Sequence, residues 1–162
     1  MLFRSLVLIV AITCATAAIY ADIGPPVDLA TRAKGAGRIV VGRVIDVQAE
    51  FQTNKFGDQL IVSHALVEVS ESLKGAPEAM VRVDVEGGTV GDLTLKVSDL
   101  PAVRTGDRAV FFLDQGTGDR YLPHLRGRGI LKLADSDVVE GSTLTLAELR
   151  QQVRGALGPE GR

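Results

Sequence analysis

The sequence is short of cysteine, tryptophan and aromatic residues in general. Cys14 is the one cysteine among 162 residues, so the chain cannot close an internal disulfide or build a multi-cysteine metal centre. Aromatic residues make up only 4% of the chain, which leaves little surface for stacking bases or sugar rings. A formal net charge of −2 creates no strong field toward polyanions. Nucleic-acid binding and carbohydrate binding are therefore disfavoured.

The chain does contain enough apolar material for one folded domain. Hydrophobic residues make up 46% and charged residues 23% of the chain, a composition unlike that of disordered proteins. The 18 glycines predict frequent turns and close contacts between chain segments. We expect one domain with one hydrophobic core.

Residues 1–21 have the pattern of a secretory signal peptide. Arg4 supplies a positive n-region, residues 6–12 form a short apolar core, and residues 15–21 are mostly small. The apolar core is shorter than the about 20 residues that a membrane-spanning helix needs. We therefore expect an exported protein, located in the periplasm or outside the cell, with no transmembrane segment after signal removal.

Cleavage is expected after Ala21, with Ala17 and Ala18 as alternatives. Each of these cuts removes Cys14 and leaves a mature chain without a thiol. Lipidation of Cys14 is an alternative, which the residues at 11–13 disfavour because position 11 lacks the large aliphatic side chain of a bacterial lipidation signal.

Residues 22–37 are interpreted as a leader segment, in which positions 27–34 have room for one or two helical turns before glycines 35 and 37. The folded domain is expected over residues 38–158. Apolar and polar residues alternate within it, as is typical of half-buried strands, at 59–71, 81–85 and 93–97. The first of these is long enough to be a bent strand shared by two neighbours.

Other segments depart from simple alternation. In residues 38–48 the apolar positions change face, which predicts a bulge or sharp coil near Gly42. Residues 109–113 are apolar on both faces and predict a central strand, joined by a hairpin to a strand at Tyr121. A further strand is predicted over residues 127–133.

A helix is predicted at the C-terminus, because Thr145 and Glu148 form a capping-box pattern and Leu146, Leu149 and Val153 share one stripe. The complete pattern predicts a mainly β fold: a small antiparallel OB-like barrel with a C-terminal amphipathic helix. A β-sandwich is the alternative architecture.

The element order, from residues 39–44 through the long strand ending at 73–75 to residues 81–91 and 106–113, resembles that of a known group. These are small exported bacterial proteins whose barrel is similar to the OB-like domain of tissue inhibitors of metalloproteinases. The resemblance covers roughly residues 38–133 and implies a five- or six-stranded OB-like barrel with a protein-binding role. It implies no catalytic residue. The inhibitors hold zinc through an N-terminal cysteine, which the mature chain lacks, so that chemistry does not transfer.

Residues for catalysis or metal binding are sparse. His64 and His124 are far apart in sequence and have no cysteine or paired-histidine spacing, so no metal and no cofactor are expected. Ser63 and His64 are adjacent on a strand and therefore point to opposite faces, which disfavours a nucleophile–base pair. Each histidine is interpreted as a surface or turn residue.

Two groups of residues are candidates for binding. Phe51 and Phe56 fall in the polar connection 50–58, where aromatic residues favour a contact surface, although either ring could instead plug a barrel end. Arg126 and Arg128, with Lys132 and His124, would line one face of the strand predicted over 127–133, where guanidinium groups suit anionic partners. An ordinary solvated face is the alternative.

These observations favour an exported, non-enzymatic binding module of the cell envelope that contacts a protein or another envelope component. Two alternatives remain: a hydrolase with an unrecognised site, and a polyanion or membrane-surface binder whose affinity would fall steeply with salt.

Overall fold

A computed structural model describes residues 28–54 and 56–158. The predicted signal peptide, its cleavage sites and Cys14 lie outside the described residues, as do positions 22–27 of the predicted leader. The described chain is mainly β, with two α-helices and one 3-10 helix, as follows: α1 (Leu29–Gly35), β1 (Arg38–Thr53), β2 (Gln59–Lys74), β3 (Met80–Glu86), β4 (Gly88–Val90), β5 (Leu93–Leu95), β6 (Arg108–Gln115), β7 (Arg120–Pro123), the 3-10 helix (Arg126–Gly129), β8 (Ile130–Leu133) and α2 (Leu146–Leu157).

Six strands form one sheet in the order β1-β2-β3-β7-β6-β8, and β1 also pairs with β6. Five strands are therefore closed into a ring, while β4 and β5 form a separate hairpin. The β3–β7 pair is parallel and the other pairs are antiparallel. The prediction of an entirely antiparallel arrangement is thus wrong for this pair. Directions cannot alternate all the way around a ring with an odd number of strands, so one neighbouring pair must run parallel.

The predicted irregularity near Gly42 is confirmed. The β1–β2 register shifts between Val41 and Gly42 and again between Val44 and Asp46. An added Cβ at Gly42 would lie 2.6 Å from the carbonyl oxygen of Glu68, so only glycine fits without displacement. The bends let β1 pair with β6 near its start and with β2 along its whole length.

The buried apolar residues form two clusters. One packs strand residues from β1, β2, β3, β6 and β8 together inside the ring, and its largest fully buried side chain is Phe111. The other, which contains Phe112, lies between the ring and the two helices. Adjacent residues of β6 therefore serve different clusters, which explains why this strand is apolar on both faces.

The two helices pack against each other and have satisfied ends. The Asp28 side chain accepts a hydrogen bond from the backbone of Thr31 at the start of α1. Lys74 donates from Nζ to the carbonyls of Ala33, Lys34 and Ala36 at its end. The predicted capping box is confirmed at the start of α2. Because Ala33 and Ala36 are fully buried, α1 belongs to the packed body of the protein.

The strands predicted at 59–71, 81–85 and 109–113 are confirmed within β2, β3 and β6. The strand predicted over 127–133 is wrong at its start, where Arg126–Gly129 forms a 3-10 helix. Leu125, which precedes this helix, and Arg126, its first residue, have positive φ angles of 54° and 57°. The strand predicted at 93–97 is reduced to Leu93–Leu95.

Candidate functional site

The β1–β2 hairpin extends beyond the ring. Strand β3 pairs with β2 only as far as Val62, and β6 pairs with β1 only as far as Arg43. Past Val62 the two strands of the hairpin pair only with each other in the sheet, up to Thr53 and Gln59. We call residues 51–54 and 56–61 the arm.

The arm carries both aromatic candidates, with Phe56 at its tip and Phe51 at its base, opposite Ile61. Asn54 orders the tip, because its side-chain oxygen accepts hydrogen bonds from the backbone N–H groups of Phe56 (2.8 Å) and Asp58 (2.9 Å). Phe56 is 78% exposed, so the alternative in which its ring plugs the barrel end is wrong. Phe51 lies in β1 and not in the connection, and it is 46% exposed.

One face at the base of the arm carries a polar cluster around His64. Nδ1 of His64 lies 2.6 Å from Oδ1 of Asp84, the residue opposite it on β3, and Nε2 lies 3.0 Å from Oε1 of Glu50. Gln52 also contacts Nε2 at 3.2 Å. Arg120 donates to Asp84 at 2.9 Å and contacts Nδ1 of His64. Nδ1 can donate to Asp84 or accept from Arg120, depending on the ring tautomer.

The cluster is held together by complementary charge. Hydrogen bonds from Gln52 and then from His64 lower the pKa of Glu50 below its ordinary value. The hydrogen bond to Asp84, together with the charge of Asp84, raises the pKa of Arg120. Both ring nitrogens of His64 have protein partners. The cluster therefore orients the base of the arm, and neither nitrogen is free to contact a substrate.

The opposite face of the same hairpin borders a cleft of about 600 Å³. Its walls come from β1, β2, β3 and from residues 86–104, which include the β4–β5 hairpin and the loop after it. Ser63 at the base is buried and donates from its hydroxyl to the carbonyl oxygen of Gly87 at 2.6 Å. Gly88 packs so tightly that an added Cβ would lie 2.4 Å from Oγ of Ser63. This close approach fixes the β4–β5 hairpin against β2.

The four basic residues expected on one strand face do not share a face. Arg126 binds Asp99 (2.7 Å) and Glu86 (3.1 Å), which ties the loop after β5 to β3. The hydrogen bond from Arg126 lowers the pKa of Asp99, and the bonds to Asp99 and Glu86 raise the pKa of Arg126. Lys132 binds Asp107 at 2.6 Å. The expected common face is wrong because the 3-10 helix rotates successive side chains away from a period of two.

Arg128 lies close enough to α1 for its charge to act on Arg32. Burial and the nearby charge of Arg128 lower the pKa of Arg32 on that helix. The assignment of Arg126 and Arg128 to a partner-binding surface stays a prediction.

His124 connects α1 to the sheet. Its Nδ1 lies 2.7 Å from Oδ2 of Asp114, whose other oxygen accepts from the backbone of Gly37 at 3.4 Å. Gly35 lies so close that an added Cβ would be 2.6 Å from Nε2 of the ring. The two histidines therefore stand in separate clusters with one aspartate each.

Within residues 28–54 and 56–158, no group of three or more histidine, cysteine, aspartate or glutamate side chains is arranged to hold a metal ion. None of the helices in this described part is long and apolar enough to cross a membrane. No protein-family model matches the chain, and a comparison with curated proteins finds no match either.

Two features were not predicted from the sequence: the contact between His64 and Asp84, and the cleft. The contact had a signal, because β2 and β3 are consecutive and both residues lie on polar faces, so the register of the hairpin would pair them. The cleft had none, because the wall from residues 96–104 is largely irregular chain whose position depends on distant contacts such as Arg126 with Asp99.

Proposed function

We propose that this protein is an exported, non-enzymatic binding module of the cell envelope, which contacts a protein or another envelope component through the arm. The observation that carries the proposal is the projecting hairpin, with Phe56 exposed at its tip and Phe51 partly exposed at its base. Aromatic side chains are enriched at protein interfaces and dominate binding hot spots. An ordered tip also lowers the entropy cost of binding.

The proposal includes an OB-like barrel. The closed order of β1, β2, β3, β7 and β6, with its bend at Gly42, supports this architecture. In OB-folds the loop between the first two strands is part of the ligand-binding surface. The corresponding loop here is the tip of the arm, where Phe56 lies.

Arg126 and Arg128 form the second part of the proposed surface. The Arg126 side chain is 51% exposed while it binds Asp99 and Glu86. Its ion pairs are therefore within reach of an anionic group on a partner.

The test compares capture of envelope components by the immobilised protein and by paired variants. Phe51→Ala with Phe56→Ala should abolish the capture of components that the unchanged protein retains, and Arg126→Ala with Arg128→Ala should weaken it. The matched control is Met80→Ala with Leu122→Ala, which removes two apolar side chains that are 49% and 47% exposed elsewhere. The proposal is wrong if a variant with all four site residues replaced by alanine captures the same components as the unchanged protein.

Hydrolysis is a second candidate function, favoured by the pairs of His64 with Asp84 and of His124 with Asp114. For His64 to act as a base, Nε2 would have to exchange its contact with Glu50 for a substrate or water. An aspartate that orients a histidine is one part of a general-base arrangement. A broad screen of hydrolytic substrates tests it. Turnover that is lost in His64→Ala or His124→Ala would replace the binding proposal with an enzymatic one.

A further inference from the structure

The cleft between the hairpin β1–β2 and residues 86–104 has the size of a small-molecule site. Its volume of about 600 Å³ lies within the range of about 300–1,000 Å³ that is typical of ligand pockets. It adjoins the cluster inside the ring, since Val47, Val85, Leu100 and Val103 belong to both. The ends of closed β-sheets are places where proteins hold single small ligands.

The lining of the cleft favours an aliphatic ligand. No aromatic side chain is among its lining residues in the described chain; the apolar ones are Val47, Ala49, Val85, Leu95, Val97, Leu100, Pro101, Ala102 and Val103. Flat ligands such as bases are usually held by stacking on aromatic rings. A flexible alkyl chain needs only apolar surface, and each methylene group that it buries adds to affinity.

Two cations at the cleft lack acidic partners. Lys96 and Arg104 both line the cleft and are exposed, and within the described residues neither forms an ion pair. The nearest acidic side chains along the chain bind other cations: Asp99 binds Arg126, and Asp107 binds Lys132 while it also accepts from the backbone N–H of Arg104 at 2.8 Å. These two positive groups line a pocket whose other side chains are mainly aliphatic, together with Glu86 and the hydroxyl residues Ser63, Thr89, Thr94 and Ser98.

The charge of the lining favours an anionic head group. Glu86 is the one acidic lining residue in the described cleft, and its carboxylate is already paired with Arg126 at 3.1 Å. Lys96 and Arg104 therefore leave the lining positively charged. A carboxylate head group would neutralise this charge.

We propose that the cleft binds a single-chain fatty-acid anion, with the alkyl chain against the aliphatic wall and the carboxylate beside Lys96 and Arg104. The site is separate from the partner contact of the arm and does not depend on it. Val47 and Ala49 line the cleft and point to the same face of β1 as Phe51, so the bound alkyl chain lies on that face.

The experiment titrates the purified protein with dodecanoate and, in parallel, with dodecanol, and follows backbone and methyl resonances by NMR. Dodecanoate should bind saturably, with the largest shifts at residues 47–49, 85–88 and 95–104. Dodecanol has the same chain without the charge and should bind about tenfold more weakly. Shortening the acid to decanoate should weaken binding by about tenfold, because two methylene groups are lost.

The double variant Lys96→Gln with Arg104→Gln should reduce dodecanoate affinity to the level of dodecanol. The matched control is Lys34→Gln with Arg154→Gln, which removes the same charge from exposed helix positions and should leave the affinity unchanged. The proposal is wrong if dodecanoate does not saturate, if its shifts lie along α1 and α2, or if both double variants bind it equally well. Equal binding of dodecanol and dodecanoate would also overturn it.

Discussion

The helix-covered side of the ring and the end that carries the arm are built differently. On the helix side, α1 and α2 cover the apolar cluster that contains Phe112, and the ends of both helices have hydrogen-bond partners. At the other end, Phe56 and Leu93 are more than half exposed and the cleft opens between β-strands and irregular chain. One region has its apolar surface covered and the other leaves it open.

This difference separates residues that stabilise the fold from residues that are available to a ligand. Burial of apolar side chains is the main favourable contribution to folding, so substitutions on the covered side should change stability. Substitutions of exposed side chains usually change it by less than about 0.5 kcal/mol. The two regions should therefore respond in opposite ways to stability and binding measurements.

The largest contrast is expected between two phenylalanines. Phe112→Ala empties a fully buried position and should lower the free energy of unfolding by about 3–5 kcal/mol. Phe56→Ala should change it by less than about 0.5 kcal/mol. Urea denaturation followed by circular dichroism measures both. Similar losses in the two variants would mean that the arm tip packs against the body.

Two glycines provide the next contrast. Gly42→Ala places a Cβ within 2.5 Å of Val67 and 2.6 Å of the Glu68 carbonyl, and should destabilise the ring by about 1–3 kcal/mol. Gly155→Ala has open space on α2 and should stabilise the protein by about 0.5–1 kcal/mol. Thermal denaturation should shift in opposite directions. A stabilising Gly42→Ala would contradict the close approach of β1 and β2.

A smaller effect is expected at the start of α2. Thr145→Ala removes the side chain that accepts from the backbone N–H of Glu148, and should cost about 1 kcal/mol. The control is Thr53→Ala on the exposed end of β1, which caps no helix. Helical content and urea midpoint check the prediction. An equal change in both variants would show that the cap does not stabilise α2.

The smallest expected effect is on how the stability of the protein depends on acidic pH. Hydrogen bonds from the backbone and side chain of Thr145 lower the pKa of Glu148 from 4.5, the value taken for the unfolded chain. A carboxyl group with a lowered folded pKa stabilises the protein above pH 4.5, and this contribution is lost as the pH falls through the folded pKa.

In Glu148→Gln, the free energy of unfolding should therefore decrease less as the pH falls below about 4.5. Glu50→Gln on the arm side should also make this decrease smaller, because Gln52 and His64 lower the pKa of Glu50. Urea midpoints measured at several pH values give the slopes. If the free energy of unfolding fell more steeply with acid in either variant, the pKa of the replaced glutamate would be raised by folding and not lowered.

The elements with strong local patterns could be predicted from the sequence. Alternation identified β2 and β3, the doubly apolar run identified β6, and Thr145 with Glu148 identified the start of α2. Each of these signals depends on neighbouring residues, because strand faces and helix caps are set locally. The OB-like barrel, the signal peptide and the roles of Phe51, Phe56, Arg126 and Arg128 stay predictions.

Features that depend on distant contacts were not predictable in this way. At residues 126–129 the glycines allow close backbone approach, since an added Cβ at Gly129 would lie 2.4 Å from the His124 carbonyl. This crowding favours the 3-10 turn, but alternation in the sequence resembles a strand there. The parallel β3–β7 pair likewise joins strands with 33 residues between them and has no local pattern.

The central claim is that ligands and partners meet the protein at the arm and cleft, and not at the helices. Its most direct test is photo-crosslinking in the native cell, with a photoreactive amino acid placed at Phe56 or Leu93 on one side and at Ala30 or Gln152 on the other. All four positions are exposed. The account predicts discrete crosslinked products from Phe56 or Leu93 and none from the helix positions, whereas products formed only at Ala30 or Gln152 would contradict it.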